Sequence, residues 1–132
     1  MSNANIAAIQ NLYAAFGRGD VAGLIAVLAP DIDWQTVGAG DYPTFGRRRG
    51  EAAVRRFLQQ VAETEEFSDF SPREFYAAAD KVFVLGTYAG TIRKTGKSFG
   101  GEWVHVFTVK DGKVATFREH CDTAQLVDGY RG

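Results

Sequence analysis

The feature that most constrains this chain is a pair of long strands near its C-terminus, at residues 102–109 and 114–121, joined by a short turn. Their side chains alternate between two faces with the period of two that a strand requires, and both faces of the first strand are apolar. Trp103 and His105 share one face with further aromatic side chains. Because a buried imidazole without partners is costly, His105 is the first candidate for a functional residue.

The register of these two strands depends on the type of turn between them. A two-residue type I′ loop would place Arg118 opposite His105. A three-residue type I turn followed by a bulge would place Phe117 opposite His105 and Glu119 opposite Trp103. We favour the second register because it gathers the aromatic residues on one face. Glu119 is then diagonal to His105 and within cross-strand reach.

Composition limits the kinds of protein that this chain can be. With 132 residues, of which 45% are hydrophobic, it suits one domain over residues 1–132 with its own core. Its 15 basic and 16 acidic residues leave a formal charge of −1, so no overall field favours nucleic acid or an anionic membrane. The single cysteine, Cys121, suits a reducing compartment. Residues 1–5 contain no charged leader or apolar run, and we expect a soluble, cytoplasmic protein.

The first half of the chain predicts three helices. Apolar residues recur at spacings of three and four from Ile6 to Phe16, which is typical of a helix with one buried face. A second, short helix is expected at residues 21–29 and is closed by Pro30. A third helix is expected at residues 51–65, where the apolar residues again share one face.

Most of the remaining chain predicts strands. A loop rich in glycine, residues 38–46, is expected to act as a lid, and the three arginines after it are expected in a solvated loop and helix start. A two-residue hairpin at Thr95-Gly96 would place Gly86 opposite His105 and leave empty volume beside the imidazole. Asp122 is expected to cap a short C-terminal helix. The predicted strands are residues 31–37, 71–79, 81–94, 98–109 and 114–121.

Helices followed by a twisted antiparallel sheet indicate an α+β fold with the helices packed on one face of the sheet. We expect a cone-shaped α+β barrel, in which a strongly curved antiparallel sheet wraps around the N-terminal helices and encloses a hollow. Side chains that point into this hollow are the candidates for a binding site.

Several short segments, in this order and spacing, resemble those of a known superfamily. They are Phe16-Gly17-Arg18-Gly19-Asp20, Leu28-Ala29-Pro30-Asp31-Ile32-Asp33-Trp34, residues 46–58, Glu102-Trp103-Val104-His105-Val106-Phe107, Asp111-Gly112-Lys113-Val114 and Phe117-Arg118-Glu119. The chain resembles the nuclear transport factor 2-like (NTF2-like) superfamily, which has a cystatin-like fold, and within it the SnoaL-like proteins related to ketosteroid isomerases. The resemblance covers nearly the whole chain and is more specific for the fold than for a reaction.

The resemblance implies an active site in the hollow, built from the first helix, the first strand and the last two strands. Leu12 or Tyr13, Thr36 and His105 fall where the steroid isomerases carry a hydrogen-bonding tyrosine, the base aspartate and an acid. Thr36 cannot be that base, so this match is incomplete. Polyketide cyclases use a carboxylate and a histidine near the last strands, which His105 with Glu119 or Asp122 resembles more closely.

The resemblance therefore implies an enzyme that acts by proton transfer on a small, largely apolar metabolite, cyclic or flat in shape. Isomerase, cyclase, dehydratase and hydrolase reactions remain open, and the alternative is a non-catalytic module that binds a ligand or serves in an assembly. The expected catalytic residues are His105 and Glu119. The expected substrate-binding residues are Tyr13, Phe16, Trp34, Thr36, Phe57, Tyr88, Trp103 and Phe117.

We expect a small-molecule ligand in the hollow and no metal, cofactor, nucleic acid or membrane partner. His120 and Cys121 are adjacent on a strand and point to opposite faces, which disfavours a joint metal site. Apolar residues on the outer face of the sheet predict a homodimer, because such a face seldom remains exposed. These outer-face residues are Phe83, Leu85, Val104 and Val106.

Overall fold

The structure is a computed structural model that describes residues 2–132, without the side chain of Ser2. Four helices and six strands follow one another in the order expected for an α+β fold. The elements are α1 (Ser2–Gly17), α2 (Val21–Ala26), β1 (Leu28–Thr36), β2 (Gly46–Arg49), α3 (Glu51–Thr64), β3 (Glu65–Ala78), β4 (Lys81–Ile92), β5 (Ser98–Lys110), β6 (Lys113–His120) and α4 (Thr123–Arg131).

The strands form one curved six-stranded sheet in the order β2-β1-β6-β5-β4-β3, and the α+β fold class is confirmed. Neighbouring strands are antiparallel except β1 and β6, which pair in parallel. The buried faces of α1 and α3 and the inner face of the sheet share one hydrophobic core. This arrangement brings the first helix close to the last two strands, which is what assembles the candidate site.

Local signals explain where the helices begin. The Asp20 side chain accepts a hydrogen bond from the backbone N–H of Gly23 at 2.9 Å and caps α2. Asp122 accepts in the same way from Gln125 and caps α4, so this prediction is confirmed. In α3, residues three and four positions apart are buried on one face and cover the sheet.

Several element boundaries differ from the predictions. Helix α2 ends at Ala26, three residues early, because Leu28 already pairs with Val114 as the start of β1. Strand β3 begins at Glu65, directly after α3, and is longer than expected. The arginine run was expected in a loop, but it forms β2, an edge strand in which Arg47 binds Asp33 through two hydrogen bonds.

Both predicted registers of the β5–β6 pair are wrong. Asp111 and Gly112 have φ values of 51° and 75°, as in a two-residue type I′ loop. Beyond this loop, β6 holds one extra residue, Ala115, between the pairs Val109–Val114 and Thr108–Thr116. The bulge shifts all later partners by one residue, and Glu119 therefore lies opposite His105.

The predicted register of the β4–β5 pair is also wrong. Ile92 donates a backbone hydrogen bond to Lys97 at 2.8 Å, so the connecting loop has four residues rather than two. Gly86 lies opposite Trp103 and not opposite His105. The space above Gly86 is filled by the Trp103 ring rather than left empty.

No helix within residues 2–132 is both long and apolar enough to cross a membrane.

Candidate functional site

A cavity of about 60 Å³ lies between α1, α3 and the inner face of the sheet, and we call it the inner cavity. Eight of the ten residues expected in the site line it: Tyr13, Phe16, Trp34, Phe57, Tyr88, His105, Phe117 and Glu119. Thr36 and Trp103 do not line it. Thr36 instead donates a hydrogen bond to Glu119 at 3.2 Å, and Trp103 packs behind the imidazole of His105.

A continuous chain of hydrogen bonds follows one wall of the inner cavity. The hydroxyl of Tyr13 is 2.7 Å from Nδ1 of His105, and Nε2 of His105 is 2.8 Å from Oε2 of Glu119. Oε1 of Glu119 accepts from the hydroxyl of Thr36. This chain of hydrogen bonds thus runs from α1 through β5 and β6 to β1, and each of these elements supplies one side chain.

The direction of these hydrogen bonds is set by the tautomer of His105 and by the proton on Tyr13. Burial, together with the nearby charge of Glu119, raises the pKa of Tyr13 above its usual value. Its hydroxyl therefore stays protonated and can donate to Nδ1 of His105, in the tautomer whose Nε2–H donates to Glu119. His105 is 4% exposed and the side chain of Glu119 is 16% exposed, so the imidazole is buried and the carboxyl group is partly open to solvent.

Aromatic rings hold the imidazole of His105 in place. The Trp103 ring stacks on it with centroids 3.9 Å apart, and Phe117 meets it edge-on at 4.8 Å. Gly86 permits this stacking, because a Cβ atom there would lie 2.2 Å from the Trp103 ring. Trp103 is therefore a positioning residue for His105 rather than part of the cavity wall.

The structure also places Glu65 in the site, a residue that the sequence reasoning missed. Its side chain lines the inner cavity and is 8% exposed. The hydroxyl of Tyr42 donates a hydrogen bond of 2.5 Å to Oε2 of Glu65. The signal that could have found Glu65 is its spacing of four from Val61, which continues the buried face of α3.

Glu65 has an unusual charge environment. Burial raises the pKa of Glu65 to about 7, the charge of Glu119 adds to this effect, and the hydrogen bond from Tyr42 opposes it. Tyr42 belongs to the glycine-rich loop that was expected to act as a lid, and its side chain is buried. The role of this loop as a lid stays a prediction.

Two further polar groups line the inner cavity near Glu65. The buried hydroxyl of Tyr88 has no hydrogen-bonded nitrogen or oxygen partner among the described residues, and the thiol of Cys121 lies beside it. Burial and the nearby carboxylates raise the pKa of Cys121 to about 11, so the thiol is not ionised at neutral pH. The indole N–H groups of Trp34 and Trp103 are likewise buried without a partner.

A second hollow of about 280 Å³ adjoins the inner cavity, and we call it the outer pocket. The two share six lining residues, among them Phe16, Leu24 and Glu65. The outer pocket is also lined by exposed residues at the start of α2, including Gly19 and Val21. It therefore lies between the inner cavity and the protein surface.

Among residues 2–132, no group of three or more His, Cys, Asp or Glu side chains is arranged to hold a metal ion.

Comparisons with known proteins agree with this architecture. A family model described as a SnoaL-like domain matches residues 9–117. A crystal structure of an NTF2-like protein from Burkholderia xenovorans LB400 is 37% identical, covers 98% of each chain and superposes with a TM-score of 0.90. An NTF2-like protein of unknown function from Burkholderia pseudomallei K96243 is 30% identical over 98% of each chain, with a TM-score of 0.87.

TerC, crystallised with polyporic acid, is 30% identical over 98% of this chain and 99% of its own, with a TM-score of 0.86. No curated protein matches this sequence. The family model covers most of the chain, and the predicted resemblance is confirmed. The chain belongs to the SnoaL-like family and has the NTF2-like, cystatin-like fold.

Proposed function

We propose that the inner cavity is the active site of an enzyme that moves a proton on a small, largely apolar metabolite, cyclic or flat in shape. The observation that carries this proposal is the hydrogen-bonded chain Tyr13–His105–Glu119 along the cavity wall. Proton transfer by a positioned side chain contributes typically about 10²–10⁴-fold to a rate, and histidine is the side chain most often used.

In the proposed reaction, the oxygen of Tyr13 takes a proton from the substrate while its own proton passes to Nδ1 of His105. Tyr13 suits this exchange because its raised pKa keeps it neutral before and after the transfer. His105 becomes an imidazolium, and the Glu119 carboxylate at 2.8 Å stabilises that charge. This assigns the proton transfer to His105 and the orienting role to Glu119.

The size of the site supports a ligand that reaches in from the surface. The inner cavity of about 60 Å³ holds only a few water molecules, whereas small-molecule sites measure about 300–1,000 Å³. Together with the adjoining outer pocket of about 280 Å³, it reaches the lower end of that range. The crystallisation of TerC with polyporic acid supports a small-molecule ligand for this chain as well.

A non-catalytic binding module is the alternative, and one observation favours it. Both ring nitrogens of His105 already have protein partners, as in a histidine that is simply satisfied in a core. A binding module would hold its ligand without any exchange of protons.

The two functions differ in a measurable way. We would incubate the protein in D₂O with enolisable cyclic ketones, beginning with cyclohexanone and β-tetralone, and follow deuterium uptake by NMR. The proposed enzyme accelerates the exchange, and His105→Gln abolishes the acceleration. His120→Gln, a change in the exposed second histidine, leaves it intact. Equal rates with the original protein and His105→Gln would remove the proposed role of His105.

We also propose a homodimer formed through the outer face of the sheet, and a location in the cytoplasm. Phe83 and Leu85 on β4 are each 37% exposed, and the half-buried Val104 and Val106 continue the same face on β5. The free thiol of Cys121 is compatible with a reducing compartment.

A further inference from the structure

Glu65 is a buried carboxyl group with an unused oxygen in the inner cavity. It is the first residue of β3, is 8% exposed, and lines both the inner cavity and the outer pocket. Tyr42 donates a hydrogen bond to Oε2, whereas Oε1 has no hydrogen-bond partner among the described residues. Because carboxyl oxygens accept hydrogen bonds, Oε1 is available to a donor on a ligand.

No cation neutralises Glu65 within the described part of the chain. No lysine, arginine or histidine forms an ion pair with it, in contrast to the exposed Glu66, which pairs with Arg93 at 3.6 Å. Among the described residues that line the inner cavity or the outer pocket, the one basic side chain is His105. Its Nε2 already meets Glu119, so the positive partner of Glu65 is missing.

The titratable groups around Glu65 are acids or neutral side chains. Burial, and then the charge of Glu119 on β6, raises the pKa of Glu65 to about 7, while the hydrogen bond from Tyr42 opposes this rise. Tyr88 on β4 and Cys121 after β6 lie close enough to feel the charge of Glu65, and burial raises the pKa of both groups, so both keep their protons at neutral pH. The cavity therefore favours a positive ligand over a negative one.

Three phenylalanine rings lie on the side of the cavity where β3 begins. Phe16, Phe67 and Phe70 contact one another with ring centroids 5.0–6.3 Å apart, and we call them the phenylalanine cluster. All three line the inner cavity. Glu65 and Phe67 are two residues apart on one strand, roughly 7 Å along it, so their side chains point to the same face. Aromatic faces beside a carboxylate attract organic cations.

We propose that the inner cavity binds its ligand through an ammonium group, which donates to Oε1 of Glu65 beside the phenylalanine cluster. The ligand is then a small, largely apolar amine that is cyclic or flat in shape. This inference rests on the role of the inner cavity as a ligand site, which was proposed above, and it names the charge of that ligand. The roles of His105 and Glu119 remain as already proposed.

The ammonium group and the proton on Glu65 compete for the same carboxyl group. Since the pKa of Glu65 is about 7, the ligand has to displace a proton at lower pH. An alkyl ammonium group itself stays charged over this range, as the side chain of lysine does. The affinity for an amine should therefore rise about tenfold between pH 6 and pH 8 and change little above that.

The test uses three probes that share one carbon skeleton and differ in charge. They are 2-aminotetralin, which is a cation, the neutral alcohol 2-tetralol and the anion tetralin-2-carboxylate. Binding is measured by isothermal titration calorimetry. At pH 8 we expect the amine to bind about 10- to 100-fold more tightly than the alcohol, as for a charge-assisted hydrogen bond, and the carboxylate to bind most weakly.

The variants assign this preference to one residue. Glu65→Gln should remove both the preference for the amine and its pH dependence while the alcohol binds as before. Glu66→Gln, a change in the adjacent exposed glutamate, should keep both. Tyr42→Phe leaves Glu65 in place but removes the hydrogen bond that lowers its pKa, so the rise in amine affinity should move to higher pH.

The outcomes separate this inference from the proposed enzyme. Absence of amine binding, equal affinities for the amine and the alcohol, or an amine preference that survives in Glu65→Gln would overturn the ammonium site. If the ketone exchange still depends on His105 in that case, the proposed function stands without it. If the amine binds through Glu65 but neither ketone exchanges, the ammonium site stands and the proposed proton transfer fails.

Discussion

His105 and Glu119 lie directly opposite each other on β5 and β6, and their side chains meet at 2.8 Å. This pairing depends on one bulged residue, Ala115, between the turn and the site. Without the bulge, Arg118 would oppose His105, and Glu119 would turn to the outer face, because neighbouring residues of a strand point to opposite sides. A local irregularity of the backbone therefore brings the acid and the imidazole together.

Tyr13→Phe tests the link between α1 and this pair. The change removes the hydroxyl that bonds to Nδ1 of His105 and leaves a buried nitrogen without a partner. We expect the free energy of unfolding to fall by about 1–3 kcal/mol, measured by urea denaturation. Proton exchange on a ketone probe should fall as well, because the substrate proton loses its route to His105.

The matched control for Tyr13→Phe is Tyr76→Phe. Tyr76 also donates to a neighbouring side chain, that of Glu74, but it is 53% exposed. Water can replace an exposed hydrogen bond. The free energy of unfolding of this variant should therefore lie within about 0.5 kcal/mol of that of the original protein. Equal losses of stability in the two variants would contradict the structural role given to the Tyr13 hydroxyl.

Much of the fold was predictable because it rests on patterns that are local in sequence. The period of two in β5 and the spacing of apolar residues in α3 predicted both elements, and Asp122 was recognised as a cap. The register was not predictable in the same way. The turn residues Asp111-Gly112 indicate a type I′ loop, but nothing in the local sequence marks Ala115 as bulged, since the parallel pairing with β1 is a long-range contact.

The site was predictable where an aromatic strand carried a polar residue, as at His105. The sequence did not predict Glu65 as a site residue, because a glutamate at the end of a helix is usually exposed. Its burial depends on Tyr42, which is 23 residues away in sequence. Thr36 and Trp103 were placed on the correct face, yet the hydrogen bond to Glu119 and the stacking on His105 direct them away from the cavity.

Glu65→Gln should change how stability depends on pH. In the folded protein the pKa of Glu65 is about 7, above its ordinary value of 4.5, so the folded state holds a proton that the unfolded state has released between these values. Stability from this group is complete below about pH 4.5 and is lost as the pH rises through about 7, by about 3 kcal/mol in all. Glutamine does not titrate, so the stability of the variant should not fall in this way as the pH rises.

The measurement is urea denaturation of both proteins at several pH values. The stability of Glu65→Gln relative to the original protein should rise with pH, while Glu66→Gln should follow the original protein throughout, because Glu66 is exposed. A constant difference between Glu65→Gln and the original protein across this range would show that Glu65 titrates normally.

Gly86→Ala tests whether Trp103 positions the imidazole. A Cβ atom at residue 86 would lie 2.2 Å from the Trp103 ring, which is 1% exposed and has no room to retreat. We expect a loss of about 1–3 kcal/mol in stability, as for other overpacked cores, and a change in the NMR shifts of the His105 ring. Gly17→Ala is the control, because the added Cβ meets no neighbouring atom within 4 Å outside its own helix, so it should not lower the stability or change the NMR shifts of the His105 ring.

A charged residue on the outer face of the sheet should prevent the proposed dimer. Leu85→Glu places an uncompensated charge in the apolar patch that Phe83 and Leu85 form on β4. We expect light scattering to report a monomer for this variant and a dimer for the original protein. Val21→Asp is the matched control: Val21 has the same 37% exposure but lies at the start of α2, where a carboxylate suits the helix and no sheet face is present. Dimers in both variants, or a monomeric original protein, would mean that this face does not join two copies of the chain.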